Sequence, residues 1–131
     1  MVQQNTPKSV LAIGIDPAFV DLSTMPGFTA DVVRAYLDAQ INRIAEFGYD
    51  VESCLIDLGD TAERVVEKAL RSKSFDCVVI GAGLREPPEL LLLFEKVINL
   101  VHTLAPGARI AFNSNPTDTA EAAERWLGSP D

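Results

Sequence analysis

Four short apolar segments alternate along the chain with four longer segments in which apolar residues recur at helical spacing. The apolar segments are 10–15, 51–58, 77–80 and 110–112. Their β-branched residues, and the Gly, Pro and Asp residues that flank them, favour strands over buried helix. The first and third segments are uncharged, which is typical of strands buried on both faces of a sheet. Glu52 and Ser53 make the second segment more polar and favour an edge position.

The helical segments are marked by candidate capping residues as well as by their periodicity. In the first helix, Thr29 is the predicted N-cap and Gly48 the predicted end. Its apolar stripe runs through Val33, Tyr36, Leu37, Gln40, Ile41, Ile44 and Phe47. Asp60 is predicted to open a capping box for the second helix, Pro87-Pro88 to open the third, and Asp118 to cap the fourth.

This alternation of strands and helices predicts an α/β fold with a four-stranded parallel sheet. Right-handed crossovers with helices on both faces give the strand order 2-1-3-4. The expected architecture is a three-layer sandwich of flavodoxin-like or Rossmann-like type. The chain of 131 residues fits a single domain, 1–131, in which the polar residues 1–8 form a flexible N-terminus.

Composition and charge restrict the partners. The formal net charge of −8 repels phosphate backbones and anionic lipids, so neither nucleic acid nor a membrane surface is an expected partner. No apolar run approaches the roughly 18 residues of a membrane span, and residues 1–8 lack an apolar signal segment. A cytoplasmic location is therefore expected. Cys54 and Cys77 lie in apolar segments and are predicted to be small buried side chains, and no metal site is assigned.

Residues that follow the strands are the candidates for a binding site, because open parallel sheets bind ligands beyond the carboxyl ends of their strands where the strand order reverses. Here the order reverses between the first and third strands. Gly81 and Gly83 are expected to bring the backbone close to a small anionic metabolite, and Arg85 to clamp it. Asp16 and Asn113 are expected to hydrogen-bond the rest of this ligand.

The same residues are compatible with purely structural roles. Gly81 and Gly83 also suit a tight turn with positive φ, and Arg85 also suits an ion pair with Glu86 or Glu89. Glu86 stands where the dinucleotide-binding pattern G-x-G-x-x-G has its third glycine, so a dinucleotide site is not predicted. The identity of any cofactor stays open.

A second class of function is an acid–base or metal-assisted hydrolase that uses Asp16 and Asp57, which follow neighbouring strands. The lone His102 lies within the third helix, where a helix-surface role is more usual than catalysis. The irregular segment 16–28 is long and apolar, and a lid, an oligomer contact and local packing are equally compatible with it. Whether the protein is an enzyme is left open.

The third helix points to self-association. Its apolar run 90–94 covers most of the helix surface, so Leu92 and Leu93 are expected to lack a partner within the chain. A homodimer through this helix is therefore expected. An interaction or regulatory module without a small ligand is the corresponding alternative to ligand binding.

Three segments resemble a group of short bacterial proteins of flavodoxin-like or Rossmann-like type. They are Gly14-Ile15-Asp16-Pro17, then 77–85 with Pro87-Pro88, and Phe112-Asn113-Ser114-Asn115-Pro116. The resemblance spans most of the chain and implies a small domain of this fold. That group has no established activity, so the resemblance assigns no catalytic residue.

Overall fold

A computed structural model describes residues 7–23 and 26–128. The strands are β1 (Ser9–Ile15), β2 (Asp50–Ile56), β3 (Cys77–Ile80) and β4 (Arg109–Phe112). The helices are α1 (Ala30–Glu46), α2 (Ala62–Ser72), the single turn α3 (Ala82–Arg85), α4 (Leu91–Leu104) and α5 (Thr119–Leu127). Two 3₁₀ turns, Pro17–Phe19 and Pro88–Leu90, lie in the connections after β1 and before α4.

The four strands form one parallel sheet in the order β2-β1-β3-β4, so the predicted topology is confirmed. The predicted edge position of the second strand is confirmed as well. Helices α1 and α5 pack together on one face of the sheet, and α2 and α4 pack together on the other. The protein is therefore a three-layer α/β sandwich of flavodoxin-like or Rossmann-like type.

Alternate residues of each strand supply two separate cores, because successive side chains of a strand point to opposite faces. The core against α2 and α4 contains large side chains such as Leu11, Ile13 and Ile80. The core against α1 and α5 relies on smaller ones, including Ala120 and Ala123. Full burial of a large aliphatic side chain contributes roughly 1.5–3 kcal/mol, so the first face carries most of the hydrophobic stabilisation.

Helix α1 begins and ends where its capping residues predict. The Thr29 hydroxyl accepts a hydrogen bond from the Val32 amide at 3.2 Å, which satisfies one donor of the first turn. At the other end, Gly48 has a φ of 96°, in the left-handed region that favours glycine. Tyr36, on the same helix, is exposed and its ring packs against Phe28 from the preceding loop.

The connections into α2 and α4 differ from the prediction. Helix α2 begins at Ala62, and Asp57 rather than Asp60 binds the amide groups that precede it, at Gly59 and Thr61. The third helical segment is divided into α3, a 3₁₀ turn over the two prolines, and α4. Consequently α4 starts at Leu91, later than Pro87-Pro88 predicts.

The expected exposure of Leu93 is wrong. Leu93 is 8% exposed and lies on the stripe with Val97 and Val101 that packs into the core. One step of four residues is close to a full helical turn, which explains why these three share a face. The exposed pair at the start of α4 is instead Leu91 and Leu92, with 57% and 63% of their surface accessible.

Both cysteines are buried and unpaired, as expected. Burial raises the pKa of the Cys54 and Cys77 thiols to about 11, so they stay protonated at neutral pH. Within residues 7–23 and 26–128, no helix has the length and apolar character needed to cross a lipid bilayer. Residues 1–6, most of the segment expected to be flexible, lie outside the described residues.

Candidate functional site

A crevice opens at the carboxyl half of the sheet, on the face covered by α1 and α5. Gly14 and Gly81 form its floor, where β1 and β3 lie side by side and the strand order reverses. Leu37 and Ile41 of α1 form an apolar wall, and the cavity volume is about 40 Å³. This is the position at which open parallel sheets bind ligands.

The crevice exists because two neighbouring positions of the sheet have no side chain. Gly14 of β1 pairs with Leu55 of β2, and Gly81 donates its amide hydrogen to the Ile13 carbonyl at 2.9 Å. Gly14 and Gly81 therefore lie next to each other at the carboxyl ends of the two central strands. Any other residue at either position would place a side chain in the crevice.

The backbone itself does not require glycine at these positions. Gly81 has a φ of −73°, and Gly83 is not among the described glycines with positive φ, so the structural alternative of a positive-φ turn at these two residues is wrong. A Cβ atom built on Gly81 would lie 3.5 Å from the Ile13 carbonyl oxygen, and one on Gly14 would lie 4.0 Å from the nearest atom of Leu55. Both are ordinary contact distances. What glycine provides here is open space.

Three buried polar side chains form one end of the crevice. The Asn113 carboxamide oxygen accepts a hydrogen bond from the Ala82 amide at 2.7 Å, and its nitrogen donates to the Thr119 hydroxyl at 2.9 Å. The Gln40 carboxamide oxygen accepts from the Ala120 amide at 2.9 Å. These bonds connect α1, the β3–α3 turn and the start of α5, so this end of the crevice is held rigidly.

Arg85 lies on the other side of the same sheet edge. Its Nη2 donates to the Asn113 carbonyl at 2.6 Å, and its guanidinium stacks on the Phe112 ring at 5.5 Å. That ring in turn packs against Phe94 of α4. The Glu86 carboxylate is 4.0 Å from the Arg85 Nη2, so this ion pair is weaker than the hydrogen bond to the Asn113 carbonyl. Within the described residues, the Arg85 Nε is buried and has no hydrogen-bond partner.

Asp16 fixes the turn after β1. Its carboxylate accepts hydrogen bonds from the Ala18 amide at 3.0 Å and from the Arg34 guanidinium at 2.8 Å. These two bonds, that of Ala18 foremost, lower the pKa of Asp16 below its ordinary value. Asp16 is therefore ionised at neutral pH and engaged in the turn.

The second carboxylate of the hydrolase alternative is also engaged. The Thr61 hydroxyl and, to a smaller extent, the Gly59 amide lower the pKa of Asp57. A general acid at neutral pH needs a raised pKa, which neither Asp16 nor Asp57 has. In the described parts of the chain, no group of three or more His, Cys, Asp or Glu side chains is arranged to hold a metal ion.

Of the five residues predicted to form the site, Gly81 and Asn113 line the crevice. Asp16, Gly83 and Arg85 lie at the same edge of the sheet but outside the crevice lining. The sequence reasoning missed Gly14, Gln40 and Thr119 as lining residues. The sequence does carry a signal for Gln40, since it is the one amide in the otherwise apolar stripe that runs from Val33 to Phe47.

The fold and the crevice together define an α/β domain whose open site lies where the strand order reverses. Neither a protein-family model nor a curated protein sequence matches this chain. Its function is therefore inferred from the geometry of the crevice.

Proposed function

We propose that the protein binds a small ligand in the crevice at the carboxyl edge of its sheet, in the cytoplasm. The observation that supports this most directly is the pair Gly14 and Gly81. Their backbone does not require glycine, yet their lack of side chains keeps the crevice open. Cores are normally packed without such gaps, so an open one at this point of the fold favours a binding role.

The size of the crevice favours a ligand of which only one end enters the crevice. A volume of about 40 Å³ is room for a group of a few heavy atoms, since a single water needs roughly 10–15 Å³. The rest of the ligand would then lie along the sheet edge, where the guanidinium groups of Arg34 and Arg85 are partly exposed. An anionic group on this outer part agrees with the small anionic metabolite expected from the sequence.

A thermal-shift screen with nucleotides, sugar phosphates and small organic acids tests this proposal. A ligand that binds only the folded protein stabilises it by about 2.7 kcal/mol at a hundredfold excess over its dissociation constant. We expect at least one small anion to raise the melting temperature and to shift the amide NMR signals of Gly14, Gly81 and Asn113. Ligands that perturb only other parts of the protein would contradict the proposal.

The role of Arg85 is tested with the same ligand in the R85A variant, with R109A as the matched control. Arg109 is an exposed arginine at the start of β4, at the opposite end of the strand. A lost charge-assisted hydrogen bond weakens binding by about tenfold or more in R85A, whereas R109A is expected to bind like the wild type. Unchanged affinity in R85A would mean that Arg85 is not the anion clamp.

The exposed pair Leu91 and Leu92 favours a second candidate function, a homodimer that contacts its partner through the start of α4. Both side chains are more than half exposed, and large apolar side chains that lie together on a surface often mark an interface. This revises the expected contact surface, since Leu93 is buried. Such a dimer is compatible with ligand binding because α4 and the crevice lie on opposite faces of the sheet.

Sedimentation at micromolar concentration tests the dimer. We expect the wild type to sediment as a dimer and L92E as a monomer, because a buried carboxylate at the interface has no partner to offset its desolvation. The exposed-site control is V65E, which changes an exposed residue of α2. A monomeric wild type would contradict this candidate.

A further inference from the structure

The orientation of the Gln40 side chain is fixed by its partner. The Ala120 amide is a hydrogen-bond donor, so the group that faces it at 2.9 Å must be the carboxamide oxygen. The Gln40 amino group, Nε2, therefore points elsewhere with two N–H donors. Within the described part of the chain, Nε2 has no hydrogen-bond partner.

Gln40 is only 6% exposed, and it lines the crevice. Among the described residues, the Arg85 Nε is the one buried side-chain nitrogen or oxygen without a hydrogen-bond partner, so the Gln40 Nε2 keeps accessible surface. Because Gln40 is otherwise buried and lines the crevice, this surface faces the crevice. The amino group of Gln40 is therefore a donor that a group in the crevice can use.

Asn113 and Thr119, the two other polar side chains at this end of the crevice, present hydrogen-bond donors as well. The Asn113 carboxamide oxygen is occupied by the Ala82 amide, and one N–H of its amino group is occupied by Thr119, which leaves one N–H. The Thr119 hydroxyl accepts that bond and keeps its own proton free to donate. Both side chains are 5% exposed. All three side chains thus have their carboxamide or hydroxyl oxygens engaged within the protein.

Charge contributes little at this end of the crevice. Thr119 begins α5, whose amino end carries a partial positive charge, but the Asp118 carboxylate at its N-cap offsets that charge while it accepts hydrogen bonds from the Ser114 and Asn115 amides. No charged side chain is among the residues that line the crevice. The hydrogen-bond donors therefore decide which group fits, and they favour an acceptor atom.

We infer that the inner end of the crevice selects a ligand group with a hydrogen-bond acceptor oxygen, a carboxylate or a carbonyl, and rejects an amine. This inference rests on the proposed function and specifies which end of the ligand enters the crevice. The acceptor oxygen receives hydrogen bonds from Gln40 Nε2 and from the Thr119 hydroxyl, while its aliphatic body contacts Leu37 and Ile41. An ammonium group would instead face N–H and O–H donors.

Three probes with the same carbon skeleton distinguish these chemistries: isobutyrate, isobutyramide and isobutylamine. We expect the first two, at millimolar concentration, to shift the side-chain amide signals of Gln40 in a ¹⁵N-resolved NMR spectrum. Isobutylamine is expected to leave these signals in place. A larger response to isobutyrate than to isobutyramide would identify the carboxylate as the preferred source of the oxygen.

The matched variant is Q40E, which keeps an oxygen for the Ala120 amide and replaces only the free amino group. We expect isobutyrate and isobutyramide to bind about tenfold more weakly to Q40E, because an N–H donor becomes a second carboxylate oxygen. The control N99D makes the same chemical change at an exposed amide of α4 and is expected to bind like the wild type.

The outcomes separate this inference from the proposed function. If all three probes shift the backbone signals of Gly14 and Gly81 equally, the crevice binds ligands but the acceptor selectivity is wrong. Unchanged binding of the acceptor probes to Q40E also overturns the inference. If no probe perturbs the crevice, the inference is overturned, while a metabolite that shifts Gly14 and Gly81 in the screen still supports the proposed function. The wild-type spectra decide the matter even if Q40E does not fold.

Discussion

Replacing Asn113 with alanine is expected to lower the free energy of unfolding by about 2–4 kcal/mol. Asn113 is 5% exposed. Its side chain forms hydrogen bonds with the Ala82 amide, 31 residues away in sequence, and with the Thr119 hydroxyl, 6 residues away, so it ties the turn after β3 to the start of α5. Alanine removes both hydrogen bonds and leaves the Ala82 amide without its partner in the interior. Urea unfolding followed by circular dichroism measures the change.

Two further variants show whether the hydrogen bonds are the cause. Asn99 is an exposed asparagine of α4 that bonds only to the Glu95 carbonyl of its own helix. We expect N99A to change the free energy of unfolding by no more than about 0.5 kcal/mol. N113D retains an oxygen for the Ala82 amide and should recover part of the loss. Equal destabilisation by N113A and N99A would show that Asn113 does not join these connections.

The G14A variant is expected to lose ligand binding while keeping or increasing its stability. The added methyl group enters the crevice but meets its nearest atom, Cδ2 of Leu55, only at 4.0 Å, so the fold accommodates it. Alanine also reduces the conformational freedom of the unfolded chain, which raises stability by about 0.4–1 kcal/mol at a compatible position. A methyl group in a cavity of about 40 Å³ displaces much of what it holds, so affinity should fall about tenfold or more.

Calorimetric titration of a crevice ligand, with thermal unfolding of the same samples, checks both parts of this prediction. G107A is the control, because a Cβ atom there has nothing within 4 Å and Gly107 lies in the connection to the start of β4, far from the crevice. A G14A protein that binds normally would show that the ligand lies elsewhere. A G14A protein that loses both binding and stability would show that Gly14 is needed for the fold instead.

The topology could be predicted from the sequence because it depends on few variables. Periodicity marks the helices, β-branched residues and flanking Gly, Pro and Asp mark the strands, and the handedness of crossovers then restricts the order of the four strands. The uncharged segments 10–15 and 77–80 became the central strands, and the more polar segment around Glu52 became an edge. These features depend on which residues avoid water rather than on exact contacts.

The run 90–94, taken alone, does not predict the burial of Leu93, because it is apolar on every side and no polar residue within it marks the solvent face. The phase of α4 is marked further along the helix, by the buried Val97 and Val101. Leu93 lies one turn before Val97 and therefore shares their face.

The roles of Arg85 and Gln40 could not be predicted from the sequence for a different reason. Arg85 had several acceptors within reach along the chain, and its main partner, the Asn113 carbonyl, is 28 residues away. Gln40 reaches α5 across 80 residues of sequence. Which donor meets which acceptor depends on distances of a few tenths of an ångström, and these follow only from the packed structure.

The ends of the described chain meet at the amino edge of the sheet. Lys8, just before β1, donates from its side-chain amine to the Leu127 carbonyl at 3.5 Å, near the end of α5. The crevice opens at the opposite edge. A short peptide that joins residue 7 to residue 128 therefore offers a route to circular permutants with new termini in a surface loop, with the join at the edge away from the crevice.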